Sequence, residues 1–76
     1  MDEAAFDEIR DTLWYQLGCK CQRCGMELDL LEFEPIKQRD AMAWSRVAAE
    51  RAVEQGWLPV PGEIGVLCPA CSVQRN

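Results

Sequence analysis

Histidine is missing from this 76-residue chain. Its absence removes the commonest general base at neutral pH and every mixed Cys/His metal site. Long apolar runs are missing too. None approaches the roughly 18 residues a membrane span needs, and Met1 is followed by Asp2 and Glu3 rather than by a basic signal-peptide start. The expectation is a cytoplasmic protein with no membrane role. Glycine and proline are few, five and four, while 49% of residues are hydrophobic and 28% charged, which excludes wholesale disorder. Basic charge is the minority: eight Lys and Arg face thirteen Asp and Glu, for a net −5. Such a chain has no global attraction for a phosphate backbone. Five cysteines are an odd number, so a fully paired disulfide framework within one chain is excluded.

Length allows a single domain, 1–76, and a small one. A chain this short hides only about 60% of the surface its unfolded form exposes, so its core is marginal without a covalent or metal staple. Charge runs in blocks. Residues 1–11 carry net −4, 12–26 net +2, 27–34 net −4 and 35–51 net +2. Solvated faces explain most of that pattern; a local docking patch is the alternative.

Periodicity sets the expected elements. Residues 2–17 read as an amphipathic helix, with Asp2 as cap, acids in the first turns and Gly18 to close it. Phe6, Ile9, Leu13, Trp14 and Leu17 fall at helical spacing. Over 26–31, Met26, Leu28 and Leu30 alternate with Glu27 and Asp29, a half-buried strand. The alternation flips at the adjacent Leu30 and Leu31, which marks a bulge or the strand's end. Residues 37–55 are rich in alanine and long charged side chains and hold no Gly or Pro, predicting one long helix. Trp44, Val47 and Ala48 are its expected core face, and Gly56 stands where a left-handed cap belongs. Residues 57–67 then read as a hairpin turning at Pro61 and Gly62, running into Cys68.

The specific chemical signal is the pair of CxxC units, Cys21-Gln22-Arg23-Cys24-Gly25 and Cys68-Pro69-Ala70-Cys71. Two residues between thiols let both sulfurs converge on one ion while the intervening N–H groups point at them. Gly25 supplies the positive φ needed after the second thiol, and Pro69 fixes φ inside the second turn. Four thiolates make a closed tetrahedral shell for one structural Zn²⁺, held by Cys21, Cys24, Cys68 and Cys71. Iron fits the same tetrahedron, and two separate thiol pairs are a further alternative. A thioredoxin-type redox pair needs a βαβ unit that does not precede Cys21. Cys19 is left over, a small apolar residue or a competitor of Cys21.

These knuckles, CQRCG at 21–25 and LCPAC at 67–71, resemble the zinc-ribbon class. The stretch AMAWSRVAAERAVEQGW followed by VLCPAC is similar to small prokaryotic and phage proteins, mostly uncharacterised, that carry a four-cysteine zinc knuckle. That resemblance covers about a third of the chain and implies a small antiparallel sheet with knuckles at 19–25 and 68–71; with the N-terminal helix and the long inserted middle helix read from periodicity, the expected fold is α+β. The resemblance implies metal and fold rather than an activity. Two features depart from the pattern: Ser72 stands where glycine usually follows a second knuckle, and the 43 residues between Cys24 and Cys68 hold a whole helix, longer than a plain ribbon's hairpin. Rubredoxins share the CxxCG and CPxC pairing, but their helix-free body does not match residues 35–56.

No nucleophile–base pair and no Gly-rich phosphate loop can be found, so an enzyme acting on a small molecule is not expected. The first expectation is a zinc-stabilised module that binds a protein partner, with transcription or other host machinery as the family analogy. The alternative is a nucleic-acid-binding ribbon using Lys20, Arg23, Arg39 and Arg46, with Trp44 or Trp57 stacking on a base. Rubredoxin-like electron transfer ranks third.

Overall fold

The computed structural model describes residues 3–60 and 62–73. Asp2 and Pro61, expected as a helix cap and in the hairpin turn, lie outside the described residues. The chain is α+β, with four helices and a two-stranded antiparallel sheet among those residues.

Helix α1 spans Glu3–Gln16. Ile9 and Leu13 are fully buried and Phe6 is half-buried, as the helical spacing requires. Thr12 shares the buried face; its hydroxyl donates to the Glu8 carbonyl at 3.0 Å, so no polar group is stranded. Trp14 and Leu17, expected on the same face, are exposed instead. One helical step beyond Leu13 rotates Trp14 about 100° off the core. Leu17 has left the helix altogether. It adopts φ +54°, so the left-handed turn expected at Gly18 is made one residue earlier by a leucine. Lys37 donates to the Leu17 carbonyl at 3.0 Å, which holds that turn.

The strand expected over 26–31 does not form as an element. Its backbone meets the preceding stretch in one antiparallel bridge, Lys20 with Glu27, through Cys21 N–H to Met26 O (2.7 Å) and Leu28 N–H to Cys19 O (2.9 Å). The alternation survives as burial: Leu28 and Leu30 point inward, Glu27 and Asp29 outward. Where parity flips, the chain winds into a 3-10 turn, Leu31–Phe33. The Asp29 carboxylate accepts the Leu31 N–H at 3.1 Å and starts that turn.

The single helix expected over 37–55 is two. Helix α2, Glu34–Arg39, carries Pro35 in its first turn, where the missing N–H costs nothing. Helix α3, Ala41–Gln55, starts at Asp40, whose extended backbone (φ −156°, ψ 95°) breaks the run. Its carboxylate accepts from Met42 N–H (3.1 Å) and Ala43 N–H (3.2 Å), a favourable N-cap that outweighs the propensity of the sequence around it. α3 buries Trp44, Ser45, Ala48, Ala49 and Ala52, with Val47 half-buried. α1 packs on α3 more extensively than on any other element. The alanines let the two backbones approach.

α3 ends as its sequence demands. Gly56 has φ +97°, its N–H meets Val53 O, and Trp57 N–H meets Ala52 O at 3.0 Å. Those paired bonds form a Schellman cap, and Trp57 is folded into the core at 2% exposure. Strands β1, Leu58–Pro59, and β2, Val66–Leu67, then pair antiparallel, Leu58 opposite Leu67. A parallel bridge joins Cys21 to Val66, with Gln22 N–H to Val66 O at 2.9 Å. Extended chain therefore runs across the molecule in the order β1, β2, 20–22, 26–28. Helix α4, Pro69–Val73, grows directly out of the second knuckle. The indole nitrogens of Trp44 and Trp57 are buried with no acceptor among the described residues, at a cost of about 1–3 kcal/mol each.

Candidate metal centre

The bridge between Cys21 and Val66 decides the geometry of the thiols. It lays the strip carrying the first knuckle beside β2, and β2 runs directly into Cys68. Both knuckles close in the same way. Cys24 N–H points at Cys21 Sγ and Cys71 N–H at Cys68 Sγ, each at 3.4 Å. The first turn reverses through Gly25, at φ +82°, whose N–H meets Cys21 O at 3.0 Å. The second needs no glycine. Ser72 N–H meets Cys68 O at 2.8 Å and its hydroxyl donates to Pro69 O at 2.9 Å, so the chain continues as α4. That is why serine is accommodated there.

Cys21, Cys24, Cys68 and Cys71 place their sulfurs within 4.8 Å of one another. Cys24 and Cys68 approach to 3.6 Å, Sγ to Sγ. A metal–sulfur bond of about 2.3 Å in a tetrahedron separates the sulfurs by about 3.8 Å, whereas a disulfide needs about 2.05 Å. The cluster therefore fits an ion at its centre better than any pairing of its thiols, and it could hold a metal. Cys21, Cys68 and Cys71 are buried and Cys24 is exposed.

Electrostatics within the cluster point the same way. Burial pushes the Cys21 thiol up, but backbone N–H groups of Cys24, Cys68 and Arg23 outweigh it and bring it down to about 6. Cys71 goes the other way: burial, then the neighbouring Cys68, Cys21 and Cys24 side chains, raise it to about 12. The Met26 N–H pulls Cys24 down, yet the Cys21 and Cys68 side chains and desolvation leave it above the ordinary thiol value. One thiolate in such a cluster thus opposes ionisation of the rest. A coordinated divalent cation inverts that, because it deprotonates its thiol ligands outright.

Cys19 stands outside the group. It is 4% exposed, and burial, with the Cys21 charge adding, raises its thiol to about 12. A thiol so placed is unreactive and packs as a small apolar residue.

Of the residues expected at a nucleic-acid interface, Lys20 and Arg23 are exposed beside the first knuckle. Arg39 ends α2 and Arg46 lies in α3, so the break at Asp40 divides a pair whose seven-residue spacing implied one helical face. Trp44 is 1% exposed and Trp57 2%, which leaves neither ring a face for a base. Lys37 occupies the approach to Trp44, 4.8 Å from the ring centroid. Arg51 is engaged with Glu32 and lies over the Phe33 ring at 5.1 Å. Spacing alone carried no sign of that group.

No protein-family model, no curated protein and no solved structure matches this chain. The resemblance to small prokaryotic and phage zinc ribbons consequently rests on the sequence motifs alone.

Proposed function

We propose that the chain is a small protein-interaction module held in shape by one structural Zn²⁺. The observation that carries the metal half is the convergence of four thiols within 4.8 Å from two knuckles far apart in the sequence. Zinc suits a tetrahedron of four thiolates that closes its coordination shell. With four protein ligands, no coordination position is left for a substrate or an activated water. The metal therefore shapes the protein and performs no reaction.

The interaction half is supported by charge and surface. Zn²⁺ with four thiolates adds −2 to the chain, taking the loaded protein to about −7, which favours a protein partner over a nucleic acid. Trp14, Tyr15, Met26, Leu31 and Ile64 are exposed apolar or aromatic groups on an otherwise acidic molecule. A reducing compartment such as the cytoplasm keeps the thiols available to the ion.

Native mass spectrometry of the protein taken from mild lysate tests both halves together. One zinc per chain and a stoichiometric protein partner are expected. Apo protein with internal disulfides, or a red iron-loaded protein, contradicts the metal assignment. Salt-sensitive oligonucleotide binding without a protein partner contradicts the interaction assignment.

A further inference from the structure

The stretch from Met26 to Leu30 has the alternation of a strand, yet only one of its edges is used. Lys20 and Glu27 form the non-hydrogen-bonded pair of an antiparallel ladder, so Met26 O and Leu28 N–H turn inward toward 19–21. The backbone groups of Glu27 turn to the other side, and an incoming strand that continues the alternation would meet those of Asp29 there as well. Among the described residues nothing pairs with the N–H or C=O of either. This is the last strip in the order β1, β2, 20–22, 26–28, an edge with no neighbour. A cleft of about 640 Å³ lies along it, lined by Met26 to Asp29 of the strip, by Leu31 and Glu32 just beyond it, and by Gln55, Trp57, Pro69 and Arg51, whose charge is taken up by Glu32. Leu31 is 75% exposed and Met26 50%.

We propose that this edge is a docking site for one extended segment of a partner protein, which adds as a further strand. The proposal rests on the interaction reading above and names its surface. Charge selects the occupant. Glu27 and Asp29 project on the wet face, and residues 27–34 hold four acids and no base. A pairing strand that sets Lys or Arg opposite those carboxylates and apolar side chains toward the exposed Met26 and Leu31 complements both the charge and the apolar surface. A second copy of the chain does not. It would set Glu27 and Asp29 against their own counterparts, and like charges directly opposite are destabilising. The same acids keep the free edge from self-pairing.

The test is selection of a displayed random decapeptide library on zinc-loaded protein, followed by amide hydrogen exchange of the complex. Selected peptides are expected to alternate basic and apolar residues and to slow exchange at the Glu27 and Asp29 amides by about tenfold or more. Methylating the peptide's edge-facing backbone nitrogens should weaken binding at least about tenfold; methylating the intervening ones should not. The variant Glu27→Lys, which leaves the Asp29 contact to Leu31 N–H in place and the zinc content unchanged, should shift preference toward acidic peptides. Peptides that bind but protect amides elsewhere overturn the edge and leave the interaction reading standing. A library yielding no binder also overturns it, and the interaction reading then falls only if native mass spectrometry finds no protein partner. A dimer with Glu27 and Asp29 protected overturns the choice of occupant.

Discussion

The sulfurs of Cys24 and Cys68 lie 3.6 Å apart, although they stand 44 positions apart in the chain. A thiol contact at that range ties the segment before α2 to the end of β2, across the two helices inserted between them. Serine at Cys21, Cys24, Cys68 or Cys71 should weaken zinc binding by more than about 100-fold, since changes one shell further out already cost 10–100-fold. Cys19→Ala should leave the stoichiometry at one. Competition with a chromogenic chelator measures both.

Asp40 holds the start of α3 with two charge-assisted bonds to backbone N–H groups. Asp40→Ala should lower stability by about 1 kcal/mol, and Asp40→Asn should recover most of the loss. Urea unfolding of the zinc-loaded variants reads the difference.

Leu17 adopts a left-handed conformation at φ +54° with a side chain 51% exposed. The backbone strain is therefore repaid by little burial. Leu17→Gly should raise stability by about 0.5–1 kcal/mol, a rise in melting temperature of roughly 2–8 °C. A fall would mean that the leucine makes a contact worth more than the strain.

Cys19 gives the molecule an alkaline limit. Burial first, and the Cys21 thiolate of the metal-free chain second, raise its thiol from the ordinary 9.0 to about 12. Stability from that difference is whole below pH 9 and is lost as pH climbs from 9 toward 12. Urea midpoints of the wild type should decline more steeply over that window than those of Cys19→Ala.

Local chemistry makes much of this legible in the sequence. CxxC spacing named the four thiols, and Gly56 followed by Trp57 named the cap of α3. Ile9, Leu13, Trp44 and Ala48 were named as core by their spacing. Features that depend on competition between local preferences were harder. Residues 37–55 have strong helix propensity throughout, and the capping preference of Asp40 shows its effect only once the chain has to turn there. Residues 26–31 alternate as a strand, but a strand is a pairing, and this one has a neighbour on one side only. Nothing in Leu17 signals a positive φ, which belongs to the connection between α1 and the first knuckle.

One measurement tests the central claim most directly: far-ultraviolet circular dichroism during chelator titration, with metal content read in parallel. A structural zinc contributes roughly 10–16 kcal/mol, more than a core this small supplies alone. Loss of one zinc per chain together with helical signal, both restored by added zinc, is the expected result. Full helical signal after the last metal has gone would contradict it.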